Sequence, residues 1–506
     1  MKITKTYAEK DFNTLKSFIK EEIEKENYID AFSLIQCCSN LAYHLNFKYV
    51  DEDLESYLFQ MSQVLLTLPN FKPSEKKWVF YDSFGLDNRG LTQQYLSALD
   101  SWNVEYLYIL EKPHNISSSK NIMKQVTDNP KAQIYIIESV SVDNIFSNIN
   151  AFAEVQKIIN EFAPQKAFLH IAPWSVFAIT TWIRYENLVT RYLINLTDHA
   201  FWLGKSCLDF NIEFRDYGCN ISNKFRKIKN NQIIKQLYYP ILISSEFQGF
   251  PAIDEDKVVV FTGGAFYKMY GEDFLFLNML KTIVEENEKA IILIAGNGDS
   301  IPLKNFILKH NLMKKILIIG NRIDISEVFK RIDIYVNTYP LTGGLMSQYA
   351  VMNKKPLIGF NDRVVPCNNA ESLFETTNLK FTYFTLDEFY FEINKLISSA
   401  DYRKEIVSNY SGLVPNEEQF SNDLQKKLSN NEVYIYKDIN IDLDKFCNIY
   451  CDMENNYLKQ YDLIKFKWIG LKYFRYSFFE ALFLSIRILI NNRQRFWNKI
   501  KKKLGI

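Results

Sequence analysis

The chain has 506 residues, of which 47% are hydrophobic and 15% aromatic, and its formal net charge is +1 at pH 7. A chain of this length is expected to form two or more domains, and its balanced charge argues against a nucleic-acid-binding protein held by bulk electrostatics. Its seven cysteines show no Cys-x-x-Cys or zinc-binding spacing, and an odd number is typical of reduced thiols in a cytosol.

The N-terminal segment has the pattern of a small helical module. Its first six residues lack the apolar core of a signal peptide, so we expect a cytoplasmic protein. Apolar residues then recur at helical spacing, as in Phe12, Leu15 and Ile19. The sequence therefore predicts a helical extension over residues 1–72. Such a module can bind a partner or cap a core, and capping is the simpler role.

Residues 73–250 alternate short β-rich runs with helical segments. The runs of strand character are residues 78–81, 106–110, 133–137, 167–170 and 192–196. Such alternation predicts a parallel sheet that is covered by helices on both faces. Ligands of these sheets bind beyond the carboxyl ends of the strands.

Residues 251–400 repeat this alternation. The second set of strand-like runs is residues 258–261, 290–294, 315–319, 332–336 and 356–358. Turn-forming residues just before position 251 are typical of a crossing between domains. The predicted fold is therefore α/β, with two Rossmann-like domains facing a cleft that would suit a two-substrate reaction.

Glycine-rich or polar loops follow four successive strands of this second unit. They contain Gly263, Gly264 and Lys268 in the first loop, Gly296 and Asn297 in the second, Asn321 and Arg322 in the third, and Thr342, Gly343, Gly344 and Ser347 in the fourth. Glycine lets the backbone approach a ligand, a lysine neutralises phosphate, and the amides of a helix N-terminus bind anions. Together the loops predict a nucleotide-diphosphate pocket, although each one alone is also consistent with a structural turn.

The same residues resemble the donor domain of nucleotide-sugar glycosyltransferases with the two-Rossmann B-type fold. The segments that carry the resemblance are residues 261–268, 294–298, 325–333 and 340–358. Within this fold, the Gly343-Gly344 loop is more similar to the branch that contains O-GlcNAc transferase and bacterial protein glycosyltransferases. A dinucleotide-binding fingerprint is not favoured, because Ile301 stands where its third glycine is needed.

The resemblance implies roles for the loop residues. Lys268 and the loop at 342–344, with Gly263, Gly264 and Ser347, would hold the donor diphosphate of a UDP-sugar without a required metal. The candidates for nucleobase and ribose contact are Gly296, Asn297, Asn321, Arg322 and Tyr349. Many retaining members have a ribose-binding glutamate where Tyr349 stands, so the stereochemical course stays open.

Three polar residues near strand ends of the first unit are candidates for acid–base chemistry. His170 ends one strand, and Asp198 and His199 follow the next. A histidine side chain can take a proton from an acceptor hydroxyl, and an adjacent carboxylate can orient it. Either His170 or His199 is the predicted base, with a purely structural role as the alternative for each.

Residues 401–506 are predicted to form a helical region with a basic tail. Residues 471–506 contain nine lysines and arginines and one acid, Glu480. The apolar stretch 478–490 is too short and too charged to span a bilayer, but a basic segment rich in Phe, Trp and Leu suits an anionic membrane surface. A helix that packs on the core and leaves a solvated basic end is the alternative.

The sequence thus predicts a cytoplasmic glycosyltransferase, peripheral at the inner face of a membrane. It would move a hexosyl or N-acetylhexosaminyl group from a nucleotide diphosphate to a glycan, lipid-linked or protein acceptor in bacterial polysaccharide synthesis or protein glycosylation. A nucleotide-sugar 2-epimerase and a non-catalytic glycosyltransferase-like subunit of a glycosylation complex are the alternatives.

Overall fold

The computed structural model describes the chain except for residues 1, 88–90, 114–115, 196, 243–244, 363–368, 375–377, 431–434, 494–496 and 498–506. The strands in the described part are β1 (Ser74–Asp82), β2 (Glu105–Glu111), β3 (Ala132–Ile137), β4 (Pro164–His170), β5 (Thr190–Ile194), β6 (Phe210–Glu213), β7 (Ile233–Lys235), β8 (Val258–Ala265), β9 (Ala290–Asn297), β10 (Ile316–Gly320), β11 (Ile334–Val336), β12 (Leu357–Phe360) and β13 (Thr382–Tyr383).

The α-helices are distributed along the whole described chain. They are α1 (Lys5–Glu24), α2 (Tyr28–Leu45), α3 (Glu52–Leu65), α4 (Thr92–Ser101), α5 (Lys120–Asp128), α6 (Asn150–Phe162), α7 (Val176–Ile183), α8 (Asp216–Lys224), α9 (Leu275–Glu286), α10 (Ile301–Lys309), α11 (Ile325–Arg331), α12 (Gly344–Met352), α13 (Leu386–Ser398), α14 (Ala400–Val407), α15 (Glu417–Asn430), α16 (Leu443–Met453), α17 (Tyr461–Trp468), α18 (Tyr473–Tyr476) and α19 (Phe478–Asn491).

The strands form two sheets. The first has seven strands in the order β3-β2-β1-β4-β5-β6-β7, and the second has six in the order β10-β9-β8-β11-β12-β13. Every strand pairing that is described is parallel. Both orders are those of a doubly wound Rossmann sheet, whose ligands bind where the strand order reverses. In these sheets the reversals lie between β1 and β4 and between β8 and β11.

The chain divides into two compact units, each built from more than one segment. Unit 1 comprises Met1–Gly85, Val104–Phe210 and Tyr450–Ile506, and unit 2 comprises Leu86–Asn103 and Asn211–Ile449. The central strands of the sheets are apolar and buried, as in Val258 to Phe261 of β8. Burial on both faces is the reason that such strands are continuous apolar runs in the sequence.

Within unit 1, the N-terminal helices pack with the C-terminal part of the described chain. Lys465 of α17 lies 2.8 Å from a carboxylate oxygen of Asp11 on α1, and both side chains are nearly buried. The Tyr461 hydroxyl donates a hydrogen bond to the same carboxylate at 2.7 Å. His44 of α2 lies 2.6 Å from Glu454. Buried polar contacts therefore join the N-terminal helices to the C-terminal ones.

Candidate functional site

The four loops that the sequence singled out follow neighbouring strands of the second sheet. The strands that precede them are β10, β9, β8 and β11, which are adjacent in that order. Because the strands are parallel, their carboxyl ends meet at one edge of the sheet. The reversal of strand order between β8 and β11 lies within this group, so the loops occupy the usual ligand position of the fold.

Near their carboxyl ends, the backbones of β8 and β9 lie so close together that a side chain at position 296 would clash with the neighbouring strand. Gly264 and Gly296 are partners in the strand register. A Cβ atom on Gly296, whose φ is +158°, would lie 1.9 Å from the carbonyl oxygen of Gly264. A Cβ atom on Gly264 would meet no heavy atom closer than the Cδ atom of Lys268, at 4.0 Å. The space beside the Gly264 backbone, up to the Lys268 side chain, is therefore not filled by other atoms of the described residues.

Lys268 lies beside the start of α12. Its ammonium group donates a hydrogen bond to the carbonyl oxygen of Thr342 at 3.1 Å. Thr342 immediately precedes Gly343, the N-cap residue of α12. The first-turn amides of a helix have no intrahelical acceptor and carry the positive end of its dipole. A positive side chain and a helix N-terminus thus come together, which is an arrangement suited to a diphosphate.

Asn337 holds this turn in place, and it was not predicted from the sequence. Its amide group donates to the Thr342 hydroxyl oxygen at 2.6 Å, and its Oδ1 atom accepts from the Gly343 amide at 3.0 Å. The buried Ser347 hydroxyl donates to the Gly343 carbonyl oxygen at 3.1 Å. A Cβ atom on Gly344 would lie 2.4 Å from the Tyr238 hydroxyl. An asparagine directly after a strand and before a turn was the available signal for Asn337.

The residues predicted to face the nucleobase have different environments. Asn297 and Asn321 are exposed. Arg322 instead forms a two-point ion pair with Asp324, at 2.8 and 2.6 Å, and donates to the Gly249 carbonyl oxygen at 2.7 Å. Burial alone would raise the pKa of Asp324, but the hydrogen bonds from Arg322 and from a backbone amide lower it. The guanidinium of Arg322 is therefore hydrogen-bonded to Asp324 and to the Gly249 backbone.

Tyr349, which replaces the expected ribose-binding glutamate, is buried on α12. Its hydroxyl donates to the Ile241 carbonyl oxygen at 2.7 Å, and its ring stacks on Phe329 with centroids 5.8 Å apart. Burial raises the pKa of Tyr349 to about 12, so the hydroxyl keeps its proton at neutral pH. The Tyr349 side chain therefore makes its contacts within unit 2, with Ile241 and Phe329.

A histidine–carboxylate pair lies where the first sheet reverses its strand order. Asp82 ends β1 and His170 ends β4, and the two are partners in the strand register. The Nδ1 atom of His170 lies 3.1 Å from the Oδ1 atom of Asp82, and both side chains are fully buried. Asp82 also accepts a hydrogen bond from the Tyr108 hydroxyl at 2.8 Å. A carboxylate in this position orients an imidazole for proton transfer.

The second predicted acid–base pair follows β5. The Nδ1 atom of His199 lies 3.5 Å from the Oδ1 atom of Asp198, which is buried, and the His199 side chain is 20% exposed. A small hollow lies next to the carboxyl ends of β4 and β5. Its lining consists of Ile171, Pro173, Leu193, Ile194, Asn195, Thr197, Trp202 and Leu203. His199 is thus the more accessible of the two predicted bases.

Glu111 is a buried acid beside the Asp82–His170 pair, and it too was not predicted from the sequence. It ends β2, and its Oε1 atom accepts hydrogen bonds from the hydroxyls of Tyr81 at 3.0 Å, Ser83 at 2.8 Å and Ser175 at 2.9 Å. Burial raises the pKa of Glu111 to about 7, and the negative charge of Asp82 adds to the rise, while the hydroxyls oppose it. Glu111 therefore changes its charge near neutral pH.

Replacing Glu111 by glutamine is expected to flatten the pH dependence of stability. Because its pKa is raised, Glu111 of the folded protein stays protonated between pH 4.5, its ordinary pKa, and about pH 7. In the unfolded chain the same carboxyl is ionised over this range. The free energy of unfolding then falls as pH rises through this window, by about 3 kcal/mol in total. Urea denaturation across the window measures the slope. Glu138→Gln, at an exposed site, is the control, and an unchanged slope in Glu111→Gln would contradict the assignment.

Neither a metal cluster nor a membrane-spanning helix occurs in the described part of the chain. No group of three or more His, Cys, Asp or Glu side chains among those residues is arranged to hold a metal ion. Of the described helices, none is long and apolar enough to cross a membrane.

Comparison with known proteins identifies the fold. No protein-family model matches the sequence, and no curated protein matches it. A mutant O-GlcNAc transferase of Thermobaculum terrenum superposes with a TM-score of 0.54 at 11% identity, over 88% of this chain and 85% of that one. A mutant TarM of S. aureus, in complex with fondaparinux, α-GlcNAc-glycerol and UDP, gives a TM-score of 0.51 at 10% identity, over 70% of this chain and 100% of its own.

HepE of Anabaena, in complex with UDP and glucose, gives a TM-score of 0.50 at 12% identity, over 71% of this chain and 100% of its own. At such low identities the likeness concerns the fold. The chain has the two-Rossmann B-type glycosyltransferase fold, as its sequence predicted.

Proposed function

We propose that this protein is a glycosyltransferase that takes its sugar from a nucleotide diphosphate, with UDP as the favoured nucleotide. The observation that carries the proposal is the Lys268 ammonium, 3.1 Å from the Thr342 carbonyl oxygen at the start of α12. It supplies positive charge at the position where the fold binds ligands. The presence of UDP in the TarM and HepE structures supports this choice of nucleotide.

In the proposed reaction, the bond between the anomeric carbon and the diphosphate oxygen breaks while a bond to the acceptor oxygen or nitrogen forms. Negative charge then develops on the leaving diphosphate. Lys268 and the first-turn amides of α12 stabilise that charge, and a fixed array of this kind needs no metal ion. Gly263 and Gly264 are proposed to bring the backbone close to the donor, and Gly296 allows the close approach of β8 and β9 beside them. Asn297 and Asn321 are proposed to contact the nucleoside.

The acceptor proton is proposed to pass to His170, which Asp82 orients, or to His199, which Asp198 orients. Glutamine at the true base is expected to lower the transfer rate by roughly 100-fold or more, because general-base catalysis is lost. Donor binding should be unchanged, since neither histidine contributes to the proposed diphosphate site. Transfer rates and UDP affinity of His170→Gln and His199→Gln, measured side by side, identify the base. Equal and near-normal rates in both variants would contradict this part of the proposal.

We further propose a hexosyl or N-acetylhexosaminyl donor and a glycan, lipid-linked or protein acceptor, at the cytoplasmic face of a membrane. Phosphate-rich lipid surfaces attract basic segments, so the basic end of the chain favours a lipid-linked acceptor. Five of its nine positive residues, Arg495, Lys499, Lys501, Lys502 and Lys503, lie outside the described residues.

Incubation with a panel of UDP-, GDP- and ADP-sugars, followed by separation of the products, tests this function. A glycosyltransferase releases the nucleoside diphosphate and passes the sugar to water or to an added acceptor. An epimerase would return an isomeric sugar, and a non-catalytic subunit would leave every donor intact. Either of the last two results would overturn the proposal.

A further inference from the structure

Helix α19 presents two different faces. Its buried residues are Ala481, Leu484 and Ile488, which recur at helical spacing and face the rest of unit 1. A second stripe is apolar and exposed, and we call it the outer stripe. It consists of Phe479, Leu482, Phe483, Ile486, Leu489 and Ile490, with exposed fractions of 72%, 40%, 61%, 44%, 63% and 62%. Each of these residues has another member of the stripe three or four positions away, a spacing that places them along one side of the helix.

Contacts on the other side of the helix hold α19 in this orientation. Arg487 donates hydrogen bonds to both carboxylate oxygens of Asp462, at 3.1 and 2.9 Å. Glu480, the only acid in residues 471–506, accepts a hydrogen bond from the Tyr473 hydroxyl at 2.7 Å. The outer stripe is therefore exposed by the way the helix packs, and the acid of α19 is already hydrogen-bonded.

The charge that follows the stripe in the sequence is positive, although fewer of these charges are unpaired than the sequence count indicated. Lys472 and Arg475 pair with Asp30, and Arg487 pairs with Asp462, so these three charges are offset within unit 1. The remaining chain has six positive residues and no acid after Ile488: Arg493, Arg495, Lys499, Lys501, Lys502 and Lys503. Of these, only Arg493 belongs to the described residues, and it is exposed.

We propose that the outer stripe inserts into the surface of an anionic lipid membrane, with α19 lying in the plane of the headgroups. A row of Phe, Leu and Ile followed by basic residues is the composition of an interfacial helix, and anionic headgroups complement the positive charge. At 14 residues the helix is shorter than the roughly 20 needed to cross a bilayer. The proposed membrane contact rests on the proposed function in one respect only, which is its role of bringing a lipid-linked acceptor to the enzyme.

Vesicle sedimentation with the full-length protein tests the inference. We expect the protein to sediment with vesicles of phosphatidylcholine and phosphatidylglycerol, and much less with phosphatidylcholine alone. The double variant Phe479→Gln/Phe483→Gln should bind the anionic vesicles roughly tenfold less, because it removes the two aromatic side chains of the stripe. Phe391→Gln is the matched control, since Phe391 is a 74% exposed phenylalanine on α13 of unit 2.

Three results would overturn the inference. They are an absence of binding to the anionic vesicles, equal binding by the double variant, and an equal loss in the Phe391→Gln control. A dimer that becomes a monomer in the double variant, by light scattering, would instead show that the stripe binds a second copy. UDP affinity in lipid-free solution, with circular dichroism to verify folding, reports separately on the proposed function and should be the same in every variant.

Discussion

Alanine in place of Lys268 is expected to reduce sugar transfer, or donor hydrolysis, by roughly 100- to 1000-fold. The ammonium group lies at the start of α12, where it would offset the charge of the leaving diphosphate. Removal of this group leaves only the helix amides for that role. Release of nucleoside diphosphate from the preferred donor, followed with a coupled assay, measures the effect.

The matched control for Lys268 is Lys314→Ala. Lys314 is an exposed lysine of unit 2 that precedes β10, at the amino ends of the same strands. The two variants remove the same charge, so a general electrostatic effect would lower both rates alike. Unchanged turnover in Lys268→Ala, or an equal loss in the two variants, would contradict the assigned role.

Gly296→Ala is expected to destabilise unit 2 by about 3 kcal/mol or more and to abolish nucleotide binding. Its Cβ atom would lie 1.9 Å from the Gly264 carbonyl oxygen. Since no carbon and oxygen atoms can approach that closely without a bond, the ends of β8 and β9 must separate. That separation would displace the backbone that is proposed to contact the donor. Urea denaturation and UDP titration measure the two effects.

Gly320→Ala provides the control for this substitution. Gly320 ends β10 and, like Gly296, has a positive φ, +74°, but a Cβ atom there would meet nothing within 4 Å. It should therefore cost only the backbone strain of a left-handed residue, about 1 kcal/mol. Equal losses at the two glycines would show that the close approach of β8 and β9 is unimportant.

The strands of both sheets could be predicted where their sequences are continuous apolar runs. The predicted runs overlap β1 to β5 and β8 to β12, with ends that differ by a few residues. The strands that were missed, β6, β7 and β13, are short and include polar side chains such as Asn211, Lys235 and Thr382. The equally short β11 and β12 were predicted because they are apolar. The run predicted for β5 ended at residue 196, which lies outside the described residues; the strand itself ends at Ile194.

The glycine loops were also visible in the sequence, because each loop is local and follows its own strand. Contacts between distant residues were not visible. His170 and Asp82 are separated by 88 positions, and only the register of β1 and β4 makes them partners. The engagement of Arg322 with Asp324 and Gly249, and of Tyr349 with Ile241, likewise depends on how unit 2 folds.

The contacts of the basic tail likewise could not be predicted from the sequence. Composition counts every lysine and arginine, but Lys472 pairs with Asp30, which is 442 positions away on α2. The sequence showed an apolar stretch at 478–490 without distinguishing its inner from its outer side. Only the packing of α19 shows that Leu484 is buried and that Phe483 is exposed.

Calorimetric titration of UDP into the wild-type protein and into Lys268→Ala tests the central claim most directly. The proposed donor site predicts saturable binding to the wild type at concentrations below about 1 mM, and binding to the variant at least roughly tenfold weaker. A protein that gives no saturable binding of UDP, GDP or ADP up to millimolar concentrations has no functional donor site. That result would contradict the glycosyltransferase proposal and favour a non-catalytic subunit.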